Sequence, residues 1–175
     1  MRLHVSKIRS AHERYEKLYA PEAFAGEQDD FAVAQPVSLA CDIFKDKAHF
    51  RLAGTVRSTL ELPCSRCLEP FNLAVDASFD LRYQPHAANT GEGDRAIEED
   101  DLSTAFYEND TIDLGQLMRE QFYLALPMKP LCREGCRGLC PACGTNLNRG
   151  TCGCVREWED PRLAVLKTFK SEPRH

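Results

Sequence analysis

Two stretches of alternating residues constrain this chain more than anything else in it. Ala48, Phe50, Leu52, Gly54, Val56, Ser58, Leu60 and Leu62 form one face of a period-2 pattern whose other face is His49, Arg51, Ala53, Thr55, Arg57, Thr59 and Glu61. After a short break, Phe71, Leu73, Val75, Ala77, Phe79, Leu81 and Tyr83 repeat the pattern. Successive side chains of a strand point to opposite faces, so alternation over such lengths predicts two long, half-buried strands. The short connection makes them an antiparallel hairpin. Val37, Leu39, Cys41 and Ile43 predict a third strand, with Cys41 as a small buried hydrophobe on its apolar face.

The remaining segments predict an α+β fold: an antiparallel β-sheet with a few helices and a cysteine-rich zinc-binding segment near the carboxy terminus. A short strand is expected around Leu3 and Val5, a mixed-charge helix from Ser10 to Tyr19, and a loop from Pro21 to Asp30. Residues 84–101 lack periodicity, are acidic and contain glycine, which predicts a mobile loop in which His86 is solvated. Asp113 is a helix N-cap with Gln116 placed to reach back. Leu114, Leu117, Met118, Phe122 and Ala125 then give that helix an apolar stripe, and Pro127 ends it. Asp160-Pro161 opens a second short helix whose face is Leu163, Leu166 and Phe169. The organisation expected is a β-rich core with one packing helix over 1–126, a cysteine-rich segment over 127–160, and a terminal helix and tail over 161–175.

The chain contains nine cysteines. No apolar run spans a bilayer, and the amino terminus lacks the continuous apolar stretch of a signal peptide, so a cytoplasmic protein without a membrane partner is expected. In a reducing compartment that many cysteines argue for metal ligation or thiol chemistry over disulfides. Cys140-Pro141-Ala142-Cys143-Gly144 is a C-x-x-C knuckle, followed closely by Cys152-Gly153-Cys154. Four thiolates so near one another suit tetrahedral zinc. The segment has too few apolar side chains to fold by burial, and structural zinc supplies on the order of 10 kcal/mol. Cys64 and Cys67 form a second C-x-x-C at the hairpin tip, and Cys132 with Cys136 completes a second quartet. Swapped pairings, a single site, and iron in a rubredoxin-like site are the alternatives.

Enzyme signatures are missing from the sequence. Pro63-Cys64-Ser65-Arg66-Cys67 is half of a zinc-deaminase pattern, but no H-x-E accompanies it. A redox C-x-x-C opens a helix in a βαβ unit, whereas this one joins antiparallel strands. No phosphate-binding loop, dinucleotide fingerprint or H-E-x-x-H occurs. A zinc closed by four thiolates has no open position at which to activate water. The expectation is a non-enzymatic protein with no small-molecule substrate.

The formal charge of −5 is unevenly spread: residues 1–126 carry −9 and residues 127–175 carry +4. The cysteine-rich end is the basic end, and Arg66, Arg137, Arg149 and Arg156 are the candidate RNA contacts, held at fixed separations by the metal loop. Trp158 could stack on an unpaired base or pin the last helix to the core.

These residues together resemble a known family. Cys64-Ser65-Arg66-Cys67-Leu68-Glu69-Pro70-Phe71 is similar to its first block. Ile112-Asp113-Leu114, Leu124-Ala125-Leu126-Pro127 and Pro130 are similar to its middle helix and exit. Gly138 to Asn148, Cys152-x-Cys154 and Asp160-Pro161-Arg162 are similar to its carboxy-terminal block. The chain thereby resembles the bacterial YceD-like family of large ribosomal RNA subunit accumulation proteins, from about residue 37 to 169. The resemblance implies a non-enzymatic role in accumulation of 23S rRNA and large-subunit assembly, with 23S rRNA or a large-subunit precursor, and ribosomal proteins, as partners. A zinc-stapled protein–protein adaptor and a thiol- or zinc-responsive regulator using Cys64 and Cys67 are the competing readings.

Overall fold

The computed structural model describes residues 1–25, 29–86 and 104–154. In chain order the strands are β1 (Arg2–His4), β2 (His12–Tyr19), β3 (Ala32–Val33), β4 (Val37–Asp46), β5 (His49–Pro63), β6 (Pro70–Pro85), β7 (Thr104–Tyr107) and β8 (Thr111–Asp113). One α-helix, α1 (Leu114–Ala125), and two 3-10 turns, Val5–Lys7 and Pro21–Phe24, complete the regular structure among the described residues. The main sheet has six strands in the order β2-β4-β5-β6-β7, with β3 paired to β5 beyond the end of β4. β1 and β8 make a separate two-stranded ribbon.

The β5–β6 hairpin is the spine of the sheet. Its antiparallel register runs from Phe50↔Tyr83 to Pro63↔Pro70, and it puts Leu52, Val56, Leu60, Val75, Ala77 and Phe79 on the buried face. β4 adds Val37, Leu39, Cys41 and Ile43 to that face, all at most 1% exposed. Burial in this apolar setting pushes the Cys41 thiol up to about 11, which suits an inert core residue. The opposite face carries arginine–aspartate pairs at Arg51–Asp80, Arg57–Asp76 and Arg14–Asp42.

α1 covers the buried face. Asp113 caps it, its side chain accepting from the backbone N–H groups of Gly115 and Gln116. Leu114, Leu117, Met118 and Phe122 are buried, and Phe122 meets the rings of Phe24 and Phe31. The helix stops at Ala125. Leu126 is extended, as a residue before proline must be.

Several expectations are corrected. Ser10–Tyr19 is not a helix: His12–Tyr19 is the edge strand β2, paired along its length with β4. The sheet is mixed, because β7 joins β6 in parallel. Gln116 does not reach back to the cap but donates to Glu120. Ala125 is exposed. Val5 lies in a 3-10 turn rather than a strand. β6 continues through Gln84 and Pro85. The rest of the expected 84–101 loop, apart from His86, and the expected helix from Asp160 lie outside the described residues.

Candidate metal centre

The hairpin tip is shaped to present two sulfurs. Pro63 and Pro70 face each other at the end of the ladder, where neither can donate further bonds. The six residues between them close on themselves. The Cys64 N–H donates to the Glu69 carbonyl at 2.9 Å, and the Leu68 N–H returns to the Cys64 carbonyl at 2.9 Å. Leu68 itself has a positive φ, 61°, and this turns the chain so that the Glu69 carbonyl comes back to the Cys64 N–H. Beyond α1 the chain runs back to this tip, and the Ser65 N–H donates to the Pro130 carbonyl at 2.8 Å. Cys132 and Cys136 are thereby delivered against Cys64 and Cys67.

The second knuckle repeats the first. The Cys140 N–H donates to the Thr145 carbonyl and the Gly144 N–H to the Cys140 carbonyl, both at 2.8 Å, with Gly144 at φ 73°. Cys152 and Cys154 return to it. The quartets are therefore Cys64, Cys67, Cys132 and Cys136, and Cys140, Cys143, Cys152 and Cys154, and within each quartet all sulfurs lie within 4.8 Å of one another. In the first quartet Cys64, Cys67 and Cys136 are at most 3% exposed and Cys132 is exposed; in the second only Cys140 is buried, Cys152 is half-buried, and Cys143 and Cys154 are exposed. We call these the inner and outer quartets. No disulfide links any of the nine cysteines.

The donor set fits a thiophilic ion. Sulfurs about 2.3 Å from a tetrahedral zinc stand about 3.8 Å apart along each edge. Cys64–Cys136 and Cys67–Cys132 are both 3.8 Å. Without a cation the eight thiols split evenly. Burial pushes Cys64 up, but the backbone amides of Cys132, Cys67 and Arg66 outweigh it and bring the thiol down to about 6. Cys136 falls despite burial because the Asn148 amide and the Gly138 N–H donate to it. The Thr145 hydroxyl and backbone hold Cys143 at about 6, and the amides of Cys143 and Ala142 lower Cys140. Cys132 is driven to about 12 by desolvation and the adjoining sulfurs, and Cys154 to about 12 by Cys143 and Cys152. Four like charges at these separations cannot coexist unaided, and a divalent cation relieves all of them together.

The basic side chains near the quartets divide by what they touch. The Arg66 guanidinium donates to the carbonyls of Cys136 at 2.9 Å and Glu134 at 3.4 Å. Arg149 pairs with Glu69, and Arg133 donates to the Asn148 side chain. Arg137 and Lys129 are exposed. Arg156 and Trp158 lie outside the described residues. Sequence reasoning quoted Asn148 only as the end of a family block and gave it no role, whereas here it is a hub, and it read Arg66 as a candidate RNA contact.

No helix among the described residues is long and apolar enough to cross a membrane. Residues 52–170 match the family model described as large ribosomal RNA subunit accumulation protein YceD. The chain is 27% identical over 164 residues to the chloroplastic large ribosomal RNA subunit accumulation protein YCED homolog 1 of Arabidopsis thaliana, covering 82% of this chain and 51% of that protein. It is 28% identical over 150 residues to the Zea mays protein of the same name, covering 68% and 48%. It is 37% identical over 116 residues to an uncharacterized protein of Mycobacterium tuberculosis, covering 66% and 53%. The chain thus spans about half the length of these relatives. No solved structure matches it. With the match covering both quartets, nearly all of the hairpin, and α1, the chain belongs to the YceD family.

Proposed function

We propose that the protein is a non-enzymatic cytoplasmic factor that promotes accumulation of 23S rRNA and assembly of the large ribosomal subunit, and that zinc bound by the two cysteine quartets holds its contact surface rigid. The name of the family and of its plant relatives supports the rRNA role. The observation that carries the zinc role is the pair of four-sulfur clusters, each with all its sulfurs within 4.8 Å of one another, in a segment that has almost no core of its own. The small apolar cluster there holds Cys64, Cys67 and Cys136 with Phe71 and Leu131.

Zinc suits these sites because four thiolates close its coordination and leave no place for water, so the ion is structural. The chain's own residues do the rest. Arg66 clamps the inner loop, Gly138 allows the outer loop to approach the hairpin, and exposed Arg137 and Lys129 are left to face phosphates. A rigid loop lowers the ordering cost of such contacts. The test is genetic and chemical together. Deleting the gene should lower 23S relative to 16S rRNA, and the wild-type gene should restore it. A gene with serine at Cys64, Cys67, Cys140 and Cys143 should fail to restore it. Normal 23S levels after deletion would overturn the rRNA role, and full restoration by the serine gene would overturn the role of the metal.

A further inference from the structure

The two quartets are not separate modules strung on a loop. Asn148 belongs to the loop that joins Cys143 to Cys152 in the outer quartet, yet its side chain lies against the inner one. Its Nδ2 donates to the Cys136 Sγ at 3.3 Å. Its Oδ1 accepts from the Arg137 N–H at 2.9 Å and from the Arg133 guanidinium at 2.9 Å. Two donors facing Oδ1 fix which way the amide points, so Nδ2 must face the sulfur. Asn146 locks the arrangement, its Oδ1 accepting from both the backbone and side-chain nitrogens of Asn148. The loops are further tied by Leu139 N–H to Arg66 carbonyl at 3.1 Å and Leu147 N–H to Gly138 carbonyl at 2.9 Å. A side chain at Gly138 would meet the Arg66 carbonyl at 3.0 Å.

From this geometry we propose that Asn148 is a positioning residue that couples the two metal sites, so that metal in the outer quartet orders the loop that completes the inner quartet and the two ions load cooperatively. The inference rests on the reading of both quartets as metal sites. An N–H donated to a coordinating sulfur orients that ligand and disperses its charge. Loss of such a partner weakens metal affinity by roughly 10–100-fold. Because coupling between sites is reciprocal, emptying the inner quartet must weaken the outer by the same factor. Asn148 can perform its task only while its loop is held. Leu147 is buried and bonds to Gly138, and the outer ion fastens both ends of the loop, at Cys143 and Cys152.

The experiment is cobalt(II) titration of the reduced, metal-free full chain against a competing chelator, read from the thiolate-to-cobalt charge-transfer and ligand-field bands. The wild type should take about two ions as tetrahedral four-sulfur sites. Asn148→Asp keeps the acceptor for Arg137 and Arg133 but sets a carboxylate against the Cys136 sulfur. It should lower inner-site affinity about 10–100-fold and shift the charge-transfer band, while a retained outer-site spectrum shows the loop still folded. Cys143→Ser with Cys154→Ser should weaken the inner site by a similar factor, and adding Asn148→Asp to that pair should have little further effect. If either the serine pair or Asn148→Asp leaves the inner site loading as in the wild type, the coupling through Asn148 is wrong while the metal sites stand. If the wild type takes up no cobalt at either quartet, the metal reading falls and the coupling with it.

Discussion

Leu68 and Gly144 occupy the same position in two turns with the same hydrogen-bond pattern. Each follows the second cysteine of a C-x-x-C, each has a positive φ, 61° and 73°, and each donates its N–H to the carbonyl of the first cysteine. Glycine adopts that conformation freely, whereas a leucine there carries about 1–2 kcal/mol of steric cost. Leu68 is also 64% exposed, so little packing offsets it. Replacing Leu68 with glycine should therefore leave unfolding free energy within about 1 kcal/mol of wild type, since relief of strain and the extra freedom of glycine nearly cancel. Gly144→Leu should cost about 1–2 kcal/mol and weaken the outer metal site. Denaturant melts and cobalt titration of both variants check this. A Leu68→Gly variant destabilised by several times that amount would show that the exposed side chain makes contacts the structure does not contain.

Metal removal should separate the molecule into a stable and an unstable part. The main core cluster draws its buried residues from Val5 to Phe122 and includes no residue of either quartet, so the sheet and α1 should survive loss of the ions. Stripping with a strong chelator should leave most of the strand signal in circular dichroism while exposing residues 131–154 to limited proteolysis. Cleavage mapped by mass spectrometry decides the matter, and equal resistance with and without metal would count against structural zinc.

Proton release gives a pH dependence of known sign. In the metal-free protein Cys67 and Cys132 are raised in the inner quartet, and Cys152 and Cys154 in the outer. Each of these thiols must lose its proton to coordinate, so binding an ion releases protons near neutral pH. Apparent affinity should then rise from pH 7 to pH 8 and fall on acidification. Competitive titration at the two values, with proton release followed in weak buffer, measures it.

The helix cap offers a control remote from the metal. Asp113→Ala removes the acceptor for two backbone N–H groups and should cost about 1 kcal/mol without changing metal stoichiometry, as thermal melts and elemental analysis would show.

The long strands and both quartets were legible in the sequence because their signals are local and redundant. Period-2 alternation in β5 and β6 permits no other reading, and C-x-x-C pairs carry metal-ligand spacing. β2 was not legible, because Tyr15 and Tyr19 stand four residues apart, a spacing that fits one face of a helix and one face of a strand alike. Here their hydroxyls meet at 2.9 Å along a strand. The parallel entry of β7 was hidden by its brevity and by the long connection from Pro85 to Thr104, which frees the chain to return in either direction. Asn148 gave no signal of its role, since an asparagine in a loop is ordinary until the fold brings it to Cys136.

The most direct test of the central claim is ultraviolet crosslinking of the tagged protein in living cells, with sequencing of the attached RNA, beside a variant carrying Lys129→Glu and Arg137→Glu. Both side chains are exposed beside the quartets, and charge reversal there should weaken phosphate contacts without disturbing the fold. The account predicts reads concentrated in 23S rRNA or its precursor for the wild type and a sharp loss of them in the variant, whose metal content stays unchanged. Crosslinks with no enrichment of 23S sequence, or a variant that retains the wild-type pattern, would contradict it.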